Sequence, residues 1–263
     1  MSNLPMWLFH SRNGNYPQDG WGANLKYSTA TPSTNSIAMD LLSQQVEEGT
    51  IVITDHQTQG RGQKGTSWLS SPGENLTFSI ILRPQLIEQR LFALTQTIAI
   101  ALREAIEPLC PDARVQIKWP NDILVNHKKI AGVLIESQWE GSKIKGSVVG
   151  IGLNVNQVDF PDEIIHKTTS LALINGKAFD RGSILWSVLL RLKIWYEKLI
   201  IGENPGRAYL SGLYGYQEAV ALRWNDGEGK HQVLGVNALG HVAIQLSGRI
   251  RHFDLKEIEF ILP

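Results

Sequence analysis

Apolar residues along this chain follow two spacings, one helical and one alternating, and their order predicts a sheet with helices packed on it. Residues 34–48 carry Ile37, Leu41, Leu42 and Val46 between polar neighbours, a helical repeat that Gly49 is placed to stop. Residues 50–54, Thr-Ile-Val-Ile-Thr, read as a strand, and residues 76–82 as another that ends at Arg83-Pro84. A helix is predicted over 88–107, with Leu91, Leu94, Ile98, Leu102 and Ile106 on or near one stripe. Strands follow at 114–119, 130–138 and 143–155, and a helix over 181–201 buries Ile184, Leu185, Val188, Leu192, Trp195 and Leu199. This mixture implies an α/β or α+β layer.

Beyond Gly202-Glu203-Asn204-Pro205-Gly206 the pattern changes. From 218 to 260 short alternating runs such as 219–222, 232–236 and 242–246 are separated by Asn-Asp-Gly, Leu-Gly-His and Ser-Gly-Arg turns, which predicts five short strands closing a small barrel. A unit of roughly 50 residues is marginal alone and is expected to pack against the main domain. The organisation read from the chain is an N-terminal extension at 1–27, a main domain at 28–209 and a small β domain at 210–263. Residues 11–20 look like an irregular lead-in.

Composition narrows the function classes. The 263 residues carry 25 Lys and Arg against 25 Asp and Glu, so no net field draws the protein to nucleic acid or to an anionic membrane. The single cysteine, Cys110, excludes an intramolecular disulfide and suits a reducing cytosol; beside Pro111 it reads as a buried thiol. Trp7, Leu8 and Phe9 are not preceded by a basic segment or continued into a long apolar run, which argues against a secretory signal, and no stretch approaches the ~18 apolar residues of a membrane span. A soluble, cytoplasmic protein is expected.

Chemistry concentrates first in Gly60-Arg61-Gly62-Gln63-Lys64-Gly65-Thr66-Ser67-Trp68. Glycines there allow positive φ and close approach to a ligand, and successive backbone N–H groups with Arg61 and Lys64 would cradle an anion. The spacing also fits a dinucleotide fingerprint, but that motif needs a helix opening at its last glycine, and Thr66-Ser67-Trp68-Leu69-Ser70-Ser71-Pro72-Gly73 is a run of turn formers. A plain surface turn remains open on this segment alone. Lys118-Trp119-Pro120-Asn121-Asp122 brings a cation, an amide and a carboxylate to one strand end, where Pro120 prevents continuation. Gly132 interrupts the strand 129–136, as expected where another group approaches the backbone. Gly150-Ile151-Gly152-Leu153-Asn154-Val155-Asn156 is a second strand of this kind, and Ser33 is suited to cap the first helix. Taken singly, each is also an ordinary strand or turn. Together they supply cations, amides and bare backbone without paired catalytic carboxylates, a set that handles phosphates in nucleotidyl transfer. A Walker sequence, zinc-ligand spacing and a Gly-x-Ser-x-Gly elbow are absent, and His56, His127 and His166 read as solvated or structural.

In order, Ser33-Thr34-Asn35, Gln57, Gly60–Gly65 with Trp68, Lys118–Asp122, Lys129–Leu134 and Gly150–Asn154 resemble the motifs of the biotin protein ligase family, over about residues 28–260. The resemblance implies the mixed sheet flanked by helices shared with lipoate ligases and class II aminoacyl-tRNA synthetases, ending in a small SH3-like barrel. It implies an enzyme that joins biotin to ATP as biotinyl-5′-adenylate, releasing pyrophosphate, and then passes biotin to a lysine of the biotin carboxyl carrier protein of acetyl-CoA carboxylase. By the same resemblance Ser33, Thr34, Gln57, Gly60, Arg61 and the backbone near Gly132 hold biotin. Lys129 bridges the biotin carboxylate and the α-phosphate, and Lys118 and Asn121 serve phosphate and Mg²⁺. Asn154 lies on the adenine side, Trp68 closes over the nucleotide, and Asp122 orients or deprotonates the acceptor lysine. Asn35, Gly62, Gln63, Lys64, Gly65 and Gly152 complete the expected biotin and ATP pocket.

Two departures from the family pattern stand out. Many members carry Arg at the position of Gln63 and often another at Thr66; a neutral Gln63 implies looser retention of the adenylate, with Lys64 as the available substitute. Only 32 residues precede Ser33, too few for the DNA-binding winged helix of regulatory members, so a ligase rather than a repressor is expected. Monomer and homodimer both occur among relatives. Lipoate or octanoate transfer on the same fold, and a non-catalytic biotin or adenylate binder, are the competing readings.

Overall fold

The apolar runs assemble into a seven-stranded mixed sheet in a computed structural model that describes residues 4–9, 21–84, 86, 90–141, 143–246 and 248–263. Its strands are β1 (Leu25–Thr31), β2 (Ile51–Gln57), β3 (Leu76–Leu82), β4 (Val115–Lys118), β5 (Asp122–Val125), β6 (Lys128–Glu140) and β7 (Lys143–Leu153). They lie in the order β1-β2-β3-β7-β6-β5-β4, with β1 and β2 parallel and the other neighbours antiparallel.

Strand β3 shows how the two faces are divided. Leu76, Phe78, Ile80 and Leu82 join the principal core, which also takes Leu171 of the short α3 (Leu171–Asn175) and the buried stripes of α2 (Leu91–Ile106) and α4 (Arg181–Ile200). The alternate residues Thr77, Ser79 and Ile81 turn to the other face, as the two-residue repeat of a strand requires. There Ile81, Val52 and Val148 meet Ala38 and Leu42 of α1 (Thr34–Ser43) in a smaller core. The helix pair α2 and α4 therefore stabilises one face and leaves the other for α1 and a cavity.

Helix α1 is shorter than its apolar spacing predicts. The N–H groups of Gln44 and Gln45 bond back to Leu41 and Leu42 at 3.0 and 3.2 Å, and Gln45 turns the chain out at φ 59. Val46 reaches the smaller core from the loop, so helical spacing and burial agree there without a helix. The Lys118–Asp122 segment is also more than a strand end: it is a hairpin turn with a cis Trp119-Pro120 bond, and the chain returns as β5, paired antiparallel to β4. The short run Ile123-Leu124-Val125 carried too little periodicity to announce that strand. The lead-in at 11–20 and the first residues of the helix expected from 88 lie outside the described residues.

Part of the N-terminal extension is docked. In a 3-10 turn at Met6–Phe9 Leu8 is fully buried and its carbonyl accepts from Trp186 Nε1 at 3.1 Å, while the Arg181 guanidinium stacks 4.0 Å over Trp7 and pairs with Asp55 at 2.8 Å. Cys110 is buried, and burial pushes its thiol up to about 11, so it is a packing residue rather than a nucleophile. Among the described residues no helix is long and apolar enough to cross a membrane.

After α5 (Gly206–Gly212), which packs on α2, the chain forms the small antiparallel sheet that the turn-rich segment predicts: β8 (Ala219–Trp224), β9 (Gly227–Val236), β10 (Val242–Leu246), β11 (Arg249–Phe253) and β12 (Ile258–Ile261), ordered β11-β10-β9-β8-β12. Its core residues Val220, Leu222, Ile244 and Phe260 are continuous with those of the main sheet. Trp119 joins the two, donating from Nε1 to Gly240 O at 2.8 Å with its ring 6.3 Å from that of Phe260. Trp119→Phe keeps the apolar contact and orphans the Gly240 carbonyl, so unfolding in urea should show a loss of about 1–2 kcal/mol; an unchanged midpoint would mean that this bond does not hold the small sheet in place.

Candidate active site

The face of the sheet not used by the principal core carries a cavity of about 570 Å³. Its floor is a row in register across four strands, Thr77, Gly152, Gly132 and Asp122, beside a second row of Ser79, Gly150 and Leu134. The glycines of β7 are there for close approach. A Cβ on Gly150 would strike the Asn35 amide, and one on Gly152 would strike the Trp68 indole.

At one end the start of α1 supplies a polar cluster. Gln57 Oε1 accepts from Thr34 N at 2.7 Å and from Thr34 Oγ1 at 3.1 Å, which leaves Gln57 Nε2 as the donor. Ser79 Oγ lies within donating distance of Thr34 Oγ1 (2.7 Å) and Asn35 Oδ1 (2.6 Å). Asn35 Nδ2 donates to Glu136 Oε2 at 2.7 Å, and the same oxygen receives Arg61 Nη2 at 3.2 Å. Ser33 takes the cap position with extended backbone, but its side chain makes no capping bond. The side-chain cap expected of Ser33 is thus absent, Gln57 accepts the Thr34 N–H instead, and Ser33 lines the cavity.

At the other end Lys129 Nζ sits 2.6 Å from Asp122 Oδ1 and 5.8 Å from the centre of the Trp68 ring, close over Gly132. Lys118 closes β4, and its ammonium has no ion-pair or hydrogen-bond partner among the described residues. Asn121 is buried, and its Nδ2 donates to Val133 O, which leaves Oδ1 as its free acceptor. The turn between them is fixed from behind by Tyr209 Oη, which donates to Pro120 O at 3.0 Å. Leu255, Lys256, Ile258, Glu259 and Phe260 of the small sheet complete the wall.

The cavity gathers Ser33, Thr34, Asn35, Gln57, Arg61, Gly62, Gln63, Trp68, Lys118, Asn121, Asp122, Lys129, Gly132 and Gly152. Gly60 and Gly65 belong to the same loop without lining the cavity, and the Lys64 side chain lies outside what the structure describes. The loop is a hairpin rather than an open cradle of amides. Gly62 N donates to Thr66 O at 2.7 Å, Trp68 N to Gly60 O at 3.0 Å and Thr66 N to Gln63 O at 3.2 Å, so these N–H groups are committed within it. A 3-10 turn, Gln63–Gly65, ends at the last glycine and Thr66 is extended, so the helix that a dinucleotide fingerprint needs is missing there. Asn154 is off the cavity wall: its Nδ2 donates to Thr169 O at 3.0 Å, and its buried Oδ1 has no partner among the described residues. His56, His127 and His166 stand outside the lining.

Glu136 and the small-sheet residues escaped the sequence reading. Glu136 closed a strand motif with no visible partner, because Arg61 and Asn35 are 75 and 101 positions away. Thr77 and Ser79, buried and alternating in an otherwise apolar strand, were the readable signal that one face of β3 meets something polar.

The sequence profile of the biotin/lipoate A/B protein ligase family matches residues 27–154. The bifunctional ligase/repressor BirA of Bacillus subtilis is 40% identical over 242 residues, which cover 90% of this chain and 74% of that protein. The biotin acetyl-CoA-carboxylase ligase of Paracoccus denitrificans is 38% identical over 126 residues, 48% of this chain and 52% of that one. Among solved structures, the biotin protein ligase from Aquifex aeolicus in complex with biotin and ATP superposes with a TM-score of 0.74 at 30% identity, over 91% of this chain and 99% of that chain. With the ordered motifs gathered on one cavity and a relative of this identity matching nine-tenths of its length, the chain belongs to the biotin protein ligase family.

Proposed function

We propose that the protein is an ATP-dependent biotin protein ligase that works in two steps in this cavity, and that its acceptor is a lysine of the biotin carboxyl carrier protein of acetyl-CoA carboxylase. The observation that carries the reading is Lys129, held by Asp122 over the glycine floor between a neutral hydrogen-bonding cluster and a cationic wall. In the first step a carboxylate oxygen of biotin attacks the α-phosphorus of ATP, and the bond to pyrophosphate breaks. In the second the acceptor amine attacks the acyl carbon, AMP leaves, and the amine loses a proton. No enzyme nucleophile is needed; the requirement is to bring two anions together.

The residues fit that division of labour. Thr34 saturates Gln57 Oε1, so Gln57 Nε2 is set to donate to a ureido carbonyl, and the Ser33 hydroxyl faces the same end. A bare lipoyl or octanoyl chain offers that cluster no acceptor, which favours biotin. The Lys129 ammonium is placed to span a carboxylate and a phosphate, and a fixed cation costs no reorganisation as charge develops. Asp122 holds it now and is suited to receive the amine proton later. Asn121 Oδ1 is an oxygen donor fit for Mg²⁺ held mainly through ATP phosphates, because among the described residues no group of three or more His, Cys, Asp or Glu could bind a metal unaided. When bound, Mg²⁺ neutralises phosphate charge. A lone buried thiol supports a reducing, cytoplasmic setting.

Biotin-dependent exchange of pyrophosphate into ATP tests the first step, and an enzyme that shows none with Mg²⁺ present is not a ligase of this kind. Lys129→Ala should lower that exchange about 100-fold or more with the fold intact by circular dichroism; full activity would remove Lys129 from the chemistry. Gln57→Met should raise KM for biotin about tenfold and leave KM for ATP unchanged, and a rise in both would place Gln57 in support of the fold instead. Excess lipoate should not compete with biotin in the same assay; competition would favour the lipoate reading.

A further inference from the structure

Four described cations line the cavity, Arg61, Lys118, Lys129 and Lys256, and they are not equivalent. Arg61 is paired with Glu136 and Lys129 with Asp122. The ammonium groups of Lys118 and Lys256 have no ion-pair or hydrogen-bond partner among the described residues. Lys256 comes from the small sheet, in the turn before β12, where the structure shows two independent signs of a placed residue.

The first is its backbone. Lys256 has φ 81, in the left-handed region that a residue with a Cβ rarely adopts and that a type II turn reserves for Gly or Asn. The second is that its acidic neighbours hold the turn and not the ammonium. Glu257 N donates to Asp254 O at 3.1 Å, Glu257 Oε2 accepts from Asp254 N at 2.8 Å, and Asp254 Oδ1 accepts from Leu255 N at 2.6 Å. Glu259, the remaining cavity carboxylate from this sheet, is held by Arg223 at 3.3 Å. The turn is therefore over-determined around a strained lysine, an arrangement that recurs where strain serves a site.

On the ligase reading above, we propose that Lys256 is a binding residue for the β- and γ-phosphates of ATP and for the pyrophosphate that leaves, acting with Lys118. A triphosphate brings more negative charge than Lys129 alone can match, and Gln63 in the glycine loop is neutral. Among the described residues, the two uncommitted ammonium groups are the cavity cations available without breaking an existing ion pair. Trp119, next to Lys118, packs on Phe260 at 6.3 Å, which ties the small sheet to that end of the cavity. The small sheet would thus supply part of the nucleotide site.

Lys256→Gly is the informative variant, because glycine accepts φ 81 and should leave Tm equal or higher. Its KM for ATP in the exchange assay should rise about tenfold, the size of one charge-assisted phosphate contact, with calorimetric binding of pyrophosphate weakened by a similar factor. KM for biotin should not move, and Lys256→Arg should restore both values. Values for ATP and pyrophosphate within about twofold of wild type, or an effect confined to KM for the carrier protein, would overturn the assignment. If the wild-type protein shows no biotin-dependent exchange, the ligase reading fails, and the pyrophosphate titrations then judge Lys256 alone: equal affinity in wild type and variant refutes it.

Discussion

The whole site depends on side chains coming down onto bare backbone in the middle of the sheet. Gly150 and Gly152 on β7 leave the room into which the Asn35 amide and the Trp68 indole settle, and no other residue type would. Asn35 in its place fixes the first turn of α1, which presents Thr34 to Gln57 and Ser33 to the cavity. Trp68 in its place pulls the glycine loop across the opening and brings its ring beside Lys129. A sheet with ordinary side chains at these positions would keep its principal core, since that lies on the opposite face, and lose its pocket.

Polar groups in the pocket are linked rather than scattered. Ser79, Thr34, Asn35, Gln57, Glu136 and Arg61 form one connected set of hydrogen bonds, so their burial is compensated and their orientations depend on each other. Two cavity cations, Arg61 and Lys129, sit against the carboxylates of Glu136 and Asp122. Those carboxylates keep the ammonium and guanidinium groups positioned before substrate arrives, which is the preorganisation that charge stabilisation requires. The opposite wall, closed by the small sheet, keeps its lysines uncommitted.

Much of this was readable from the sequence where a motif needs contiguous residues. The strand of β3, the stripe Leu94, Ile98, Leu102 and Ile106 on α2 and the five strands after residue 218 stand where the pattern placed them, and Lys118, Asn121, Lys129, Gly132 and Gly152 meet on one cavity while Gly60, Gly65 and Asn154 do not line it. What was not readable depends on partners far away in the chain. Strand β5 is too short to have a period of its own and exists because β4 and β6 flank it. Val46 shows helical spacing in a loop because burial, and not hydrogen bonding, sets that pattern. Ser33 looked like a side-chain cap because its residue type and position suit one, yet Gln57 takes the Thr34 N–H instead. Lys256 carries no motif at all; only the fold brings it to the cavity.

Intact-mass spectrometry of a carrier domain incubated with this protein, biotin, ATP and Mg²⁺ tests the central claim most directly. The account predicts a single added biotinyl group on one lysine, dependent on all three small molecules. A carrier that keeps its unmodified mass while the protein binds biotin would contradict it and leave the cavity a binding site without transfer.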